Sequence, residues 1–124
     1  MNRKLKVMVV ENSSSLLNLI GQTLRNGGFD VIEAGDGEQA LEQLQLGEVD
    51  LLISDVNMSR PDGIELATLV RRLPGMSLLP IILIAGEGDD KRALAKQASP
   101  SGWISKPFHP EKLLNVTRTV LGHA

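Results

Sequence analysis

The sequence predicts an α/β domain: a doubly wound, five-stranded parallel sheet in the flavodoxin-like order 2-1-3-4-5, with helices on both faces. Three observations predict it. Short apolar runs rich in β-branched residues recur along the chain, each of strand length. Between them lie segments with helical spacing of apolar residues, opened by Ser or Asp and closed by Gly or Pro. The connections are a few residues long, so right-handed crossovers return each strand to a parallel neighbour. A chain of 124 residues has the length of one domain, 1–124, with one well-buried core.

The first strand is Leu5-Lys6-Val7-Met8-Val9-Val10, ending at Glu11-Asn12. Ser13 or Ser14 caps the helix that follows, whose face carries Leu16, Leu17, Ile20 and Leu24. Gly27-Gly28 stops it, because glycine takes the left-handed C-terminal position cheaply. Phe29 to Ala34 is the second strand. Asp36-Gly37-Glu38 opens a second helix with Ala40, Leu41 and Leu44 inward, ending at Gly47. The third strand is Leu51-Leu52-Ile53-Ser54, which runs straight into Asp55. After the turn cluster Pro61-Asp62-Gly63, Asp62 caps a third helix with Ile64, Leu66, Leu69, Val70 and Leu73 on its face, closed by Pro74-Gly75. Pro80 to Ala85 is a fourth, fully apolar strand that leaves through Gly86-Glu87-Gly88. Asp89-Asp90-Lys91-Arg92 starts the most polar helix, which Pro100 terminates. Trp103-Ile104-Ser105 is a short fifth strand running into Lys106-Pro107-Phe108. Pro110 stands in the first turn of a last helix that carries Leu113, Leu114, Val116, Val120 and Leu121.

Composition excludes several classes. The net charge of −2 provides no basic field for nucleic acid or an anionic membrane. Without cysteine there is neither a disulfide nor a thiolate metal site. The apolar run after Lys6 is too short for a signal-peptide core. The run from Leu78 to Ala85, interrupted by Pro80, is too short to cross a bilayer. The expected setting is the cytoplasm.

In open α/β sheets, ligands bind beyond the carboxyl ends of the strands. Strand one delivers Glu11 and Asn12 there, strand three Asp55 and then Asn57, strand four Ala85-Gly86, and strand five Lys106. Strands one and three are neighbours in the proposed order, so Glu11, Asn12 and Asp55 converge. Two carboxylates and an amide oxygen are hard ligands of the kind Mg²⁺ takes. Lys106 adds a compact cation that either holds a phosphoryl oxygen or pairs with Asp55. Each residue alone also fits a bland role, Asp55 as a loop-starting cap and Lys106 as its partner in an ion pair. Four strand ends supplying acid, oxygen ligand and ammonium together argue against that.

These residues carry a family resemblance. Val10-Glu11-Asn12, Ser54-Asp55-Val56-Asn57-Met58, Pro61-Asp62-Gly63-Ile64-Glu65-Leu66 and Gly102-Trp103-Ile104-Ser105-Lys106-Pro107-Phe108 occur in order and at proper spacing. Over essentially its whole length the chain resembles the receiver domain of two-component response regulators, most closely the single-domain chemotaxis type. The resemblance implies that Asp55 is the phosphoacceptor, taking a phosphoryl group from a histidine kinase or phosphotransfer protein. It implies that Glu11, Asn12 and Asp55 hold Mg²⁺, with the main-chain carbonyl of Asn57 completing the shell. Lys106 matches the lysine that contacts the phosphoryl group, and the Lys106–Pro107 bond is expected to be cis. Trp103 matches the switch aromatic of strand five; read alone, it is either a half-buried core residue or part of a docking face.

Two residues depart from the family pattern. Asn12 stands where a second acid is usual, which removes a formal charge and predicts weakened Mg²⁺ affinity. Ala85 stands where Thr or Ser is usual, so no hydroxyl reaches the phosphoryl group; the N–H groups near Ala85 and Gly86 remain able to hold it. A phosphoryl group should then couple less strongly to the strand-four loop and to Trp103.

The leading expectation is a stand-alone receiver in a phosphorelay, a monomer or weak homodimer that signals by altered protein–protein interaction and turns over no outside substrate. The alternative is a pseudo-receiver that binds partners without phosphorylation, supported by Asn12 and Ala85. A flavin carrier is a third reading, with Asn12-Ser13-Ser14-Ser15 cradling a phosphate. Two Phe, one Trp and no Tyr leave it few rings to stack a flavin.

Overall fold

Five parallel strands form one sheet in the order β2-β1-β3-β4-β5: β1 (Lys6–Val10), β2 (Asp30–Ala34), β3 (Leu51–Asp55), β4 (Ile81–Ala85) and β5 (Gly102–Ser105). The helices between and after them are α1 (Ser14–Asn26), α2 (Gly37–Leu44), α3 (Gly63–Arg71), α4 (Arg92–Ala95) and α5 (Pro110–Val120). The structure is a computed structural model that describes residues 4–86 and 91–122. The doubly wound topology is the one the sequence predicts.

Strand alternation sorts the core into two layers. Val7, Val9, Leu51, Ile53, Ile82, Ile84 and Ile104 face α1 and α5, where they meet Ile20, Leu24 and Leu113. Met8, Val10, Leu52, Ile81, Leu83 and Ala85 face the other way, onto Ala40 and Leu44 of α2, Leu66, Ala67 and Val70 of α3, and Ala95 of α4. Both central strands β3 and β4 are buried along their whole length, as a sheet covered on both sides requires.

The caps follow the sequence closely. The Ser13 hydroxyl accepts the Leu16 N–H, and Asp36 accepts the Gln39 N–H. Asp62 and Glu65 form a reciprocal capping box at the start of α3. Gly28, at φ 97°, takes the left-handed position that ends α1.

Two details differ from expectation. Leu69 is 39% exposed, because Leu66, Ala67 and Val70 define the inward stripe of α3 and Leu69 falls on its rim. The fourth helix is a single turn, Arg92–Ala95, followed by a 3-10 turn over Lys96–Ala98. Only Ala95 and Ala98 of this segment reach the core, and Ser99, at φ 49° before Pro100, stops the helix. Of the residues predicted to open it, Asp89 and Asp90 lie outside the described residues, as do Glu87 and Gly88 of the preceding loop. The 3-10 turn is anchored from α3: Arg71 donates to the carbonyls of Ala98 (3.1 Å), Ser99 (2.9 Å) and Leu79.

Candidate functional site

Register sets the site. Val10 lies opposite Ser54, Asp55 opposite Ile84, and Ala85 opposite Ser105. Glu11 and Lys106 are each one residue beyond these pairs, so Glu11, Asp55 and Lys106 reach the same edge. They are also in phase: Val7-Val9-Glu11, Leu51-Ile53-Asp55 and Ile104-Lys106 continue the face covered by α1 and α5. The β4 and β5 ends are closed by the Lys106 N–H donating to Ala85 O at 2.7 Å.

Lys106 Nζ lies 2.7 Å from Asp55 Oδ2 and 3.5 Å from Glu11 Oε1. Both carboxylates are buried, each only 3% exposed. Asp55 Oδ1 accepts the Asn57 N–H at 3.1 Å, and Glu11 Oε2 accepts the Ser13 N–H at 3.0 Å. Two buried carboxylates thus share one ammonium. Burial, followed by the hydrogen bond and repulsion from Asp55, raises Glu11 above its ordinary 4.5, with Ser13 and Lys106 opposing. Burial pulls Lys106 down, but the hydrogen bond and charge of Asp55, together with Glu11, hold it above its ordinary 10.5.

Gly63 shapes the approach to Asp55. Its N–H donates to Val56 O at 3.1 Å, and a Cβ built on it would stand 2.2 Å from Asp55 O. Only glycine lets the start of α3 press against the end of β3 in this way.

The other predicted positions fall into place unevenly. Asn12 is exposed and tied to the surrounding loops: its Nδ2 donates to Gly35 O at 2.9 Å, and its Oδ1 accepts the Ser59 N–H at 3.3 Å. Asn57 lies beside Asp55 through its main chain. Ala85 is fully buried on the opposite face of the sheet, in the same layer as half-buried Trp103, which sits across from Leu83. Gly86 faces Asn57, whose Nδ2 would be 4.0 Å from an added Cβ. The Lys106–Pro107 peptide is cis; so is Arg60–Pro61, for which the sequence holds no signal beyond the proline. Sequence reasoning passed over Lys91, whose Nζ donates to Asn57 Oδ1 at 2.9 Å. Its place in a charged helix start reads as a solvated lysine, and only the fold brings it to β3.

The donor set fits a hard divalent cation. Two adjacent carboxylates against one ammonium leave surplus negative charge at the site. Among the described residues no group of three or more His, Cys, Asp or Glu side chains forms a metal cluster. Such a cation would therefore be held by two carboxylates and neutral oxygens.

Comparison with known proteins agrees with this fold. The chain is 33% identical over 110 residues to the chemotaxis protein CheY-3 of Vibrio cholerae, covering 87% of this chain and 85% of that one. It is 30% identical over 117 residues, 94% of this chain, to the alkaline phosphatase synthesis transcriptional regulatory protein PhoP of Bacillus subtilis, and spans only 48% of that protein. Among solved structures, Vibrio cholerae CheY4 superposes with a TM-score of 0.90 at 34% identity, over 95% of this chain and 99% of that one. A putative response regulator from Chloroflexus aurantiacus also gives 0.90, at 29% identity over 97% and 99% of the two chains. No helix among the described residues is long and apolar enough to cross a membrane. The response regulator receiver domain model matches residues 7–118, a span that holds the whole sheet edge from Glu11 to Lys106, and the chain belongs to that family of two-component signalling domains.

Proposed function

We propose that the chain accepts a phosphoryl group on Asp55 from a histidine kinase or phosphotransfer protein and signals through altered binding of a downstream protein. The observation that carries this reading is the Lys106 ammonium 2.7 Å from a buried Asp55 carboxylate, with Glu11 beside it. A carboxylate oxygen of Asp55 attacks phosphorus, the P–N bond to the donor histidine breaks, and its electron pair returns to the imidazole nitrogen. Little covalent chemistry is asked of the protein beyond position and charge. Lys106 holds a phosphoryl oxygen as charge shifts from the donor, and the Asn57 N–H orients the carboxylate. Glu11 and Asp55, with the Asn57 main-chain carbonyl, would hold Mg²⁺, which when bound supplies neutralising charge at the phosphoryl oxygens. No outside substrate is turned over; hydrolysis of the acyl phosphate is self-dephosphorylation. A cytoplasmic setting and Asp55 as the single modified residue complete the reading.

The second reading is a pseudo-receiver that works without phosphorylation. It is favoured by Asn12, engaged with Gly35 and Ser59, and by the buried methyl of Ala85. One experiment separates the two. The chain is incubated with a small phosphodonor and Mg²⁺, then weighed intact, with Asp55→Asn as control. A gain of roughly 80 Da, one phosphoryl group, on wild type alone is expected. Wild type without the gain, or Asp55→Asn with it, overturns the first reading.

A further inference from the structure

Lys91 stands at the site and has no part in the chemistry above. It immediately precedes α4, and its ammonium is held by the neutral side-chain oxygen of Asn57 at 2.9 Å. The main chain of Asn57 is itself bonded to Asp55 Oδ1. Lys91 is therefore one residue removed from the carboxylate that would carry the phosphoryl group. The next residue, Arg92, lies over the Trp103 ring, 5.5 Å from its centroid. Two consecutive side chains thus touch the site and the tryptophan. Among the described residues no side-chain cap fixes the start of α4.

Ala85 offers no hydroxyl by which a phosphoryl group could pull on β4. A phosphoryl group on Asp55 brings close to two negative charges and strong acceptor oxygens. An ammonium held by a neutral amide oxygen gains a charge-assisted hydrogen bond by transferring to such an oxygen. We propose that Lys91 is the positioning residue that reads the phosphoryl group in place of the missing hydroxyl: its ammonium leaves Asn57 for a phosphoryl oxygen, and the movement, carried through Arg92, changes the stacking on Trp103. This rests on Asp55 being phosphorylated. The route runs through the start of α4 and needs nothing from the side chain at 85.

Trp103 is the only tryptophan, so its emission reports the stacking directly. The full chain is treated with phosphoramidate and Mg²⁺ as wild type, Lys91→Met and Lys91→Arg. Phosphorylated fraction is read by intact mass, and Trp103 emission is followed in the same samples. Losing a charge-assisted hydrogen bond shifts a two-state equilibrium by roughly tenfold or more. All three proteins are expected to gain the phosphoryl mass. The emission change per phosphorylated molecule is expected to fall to about half or less in Lys91→Met and to be restored in Lys91→Arg. A full emission change in phosphorylated Lys91→Met overturns the relay while leaving Asp55 as acceptor. So does a phosphorylated wild type with unchanged emission, and so does Lys91→Met failing to gain mass when wild type gains it, since Lys91 would then serve acceptance. Wild type without mass gain removes the relay and the acceptor reading together.

Discussion

Gly63→Ala tests how the site is built. The new methyl would lie 2.2 Å from Asp55 O, 2.8 Å from Asp55 C and 2.8 Å from the Val56 Cα. All three atoms are main chain, so no flexible side chain can swing aside. Either α3 backs away, losing the Gly63 N–H bond to Val56 O, or the end of β3 moves. Overpacking of a rigid contact costs about 1–3 kcal/mol. Alanine recovers up to about 1 kcal/mol through its helix propensity, so a net loss of about 1–2 kcal/mol is expected, roughly 4–8 °C in Tm for a domain of this size. Gly47→Ala is the matched control, because an added Cβ there meets nothing within 4 Å; it should stay within about 0.5 kcal/mol of wild type. Thermal and urea unfolding followed by circular dichroism give both numbers. A Gly63→Ala protein as stable as Gly47→Ala would refute the close approach of α3 to Asp55. Phosphoryl uptake should fall along with stability, since any movement of β3 disturbs the 2.7 Å contact between Asp55 and Lys106.

Two further outcomes concern the acids. Glu11 holds its proton more tightly when folded than at the ordinary 4.5, so the folded chain binds more protons than the unfolded one, and stability falls as pH rises from 4.5 through the raised value. Glu11→Gln should therefore unfold at a higher urea concentration than wild type at pH 7, the gap closing towards pH 4.5; a lower midpoint at pH 7 would contradict this. Asn12→Asp exchanges the amide that donates to Gly35 O for a carboxylate that cannot, and adds a formal negative charge at the residue next to Glu11. Mg²⁺ affinity by equilibrium titration should rise about tenfold, since most of the roughly 4 kcal/mol of added attraction is lost to desolvation; unchanged affinity would show that Asn12 does not limit metal binding.

The sheet was legible because its information is local. Runs such as Leu51-Leu52-Ile53 and Ile81-Ile82-Leu83-Ile84 are apolar on both faces, which suits only a central strand, and Ser13, Asp36 and Asp62 cap helices within four residues of themselves. Glu11, Asp55 and Lys106 were legible because Glu11 and Lys106 directly follow a strand and Asp55 ends one, and topology alone brings three such residues to one edge. Long-range polar contacts were not legible. The partners of Asn12 are 23 and 47 residues away, and Lys91 and Asn57 are 34 apart. No periodicity encodes such distances. The fourth helix misled for a different reason: Ala93, Ala95 and Ala98 favour helix by propensity, but the segment has too little apolar bulk to keep a long one on the sheet.

The two departures from the family pattern lie in different places: Asn12 is an exposed loop residue next to Glu11, and Ala85 is buried at the end of β4. Glu11, Asp55 and Lys106 continue the face packed on α1 and α5; Ala85 and Trp103 belong to the face packed on α2, α3 and α4. The proposed acceptance of a phosphoryl group would depend on charge at the first face, where Glu11, Asp55 and Lys106 are all present. Transmission to Trp103 through β4 would depend on a polar group on the second face, where Ala85 supplies a methyl. Losing that group leaves the nucleophile and its lysine untouched, because alternate residues of a strand point away from one another. Transmission then needs a path that does not cross the strand. The pair Lys91-Arg92 lies beyond the end of β4, where side chains of either face can reach round the sheet edge, and it touches both Asn57 and Trp103. On the proposed reading, a chain that keeps the acceptor face and changes the transmitting one would retain phosphoryl chemistry while its output passes through the charge at the start of α4.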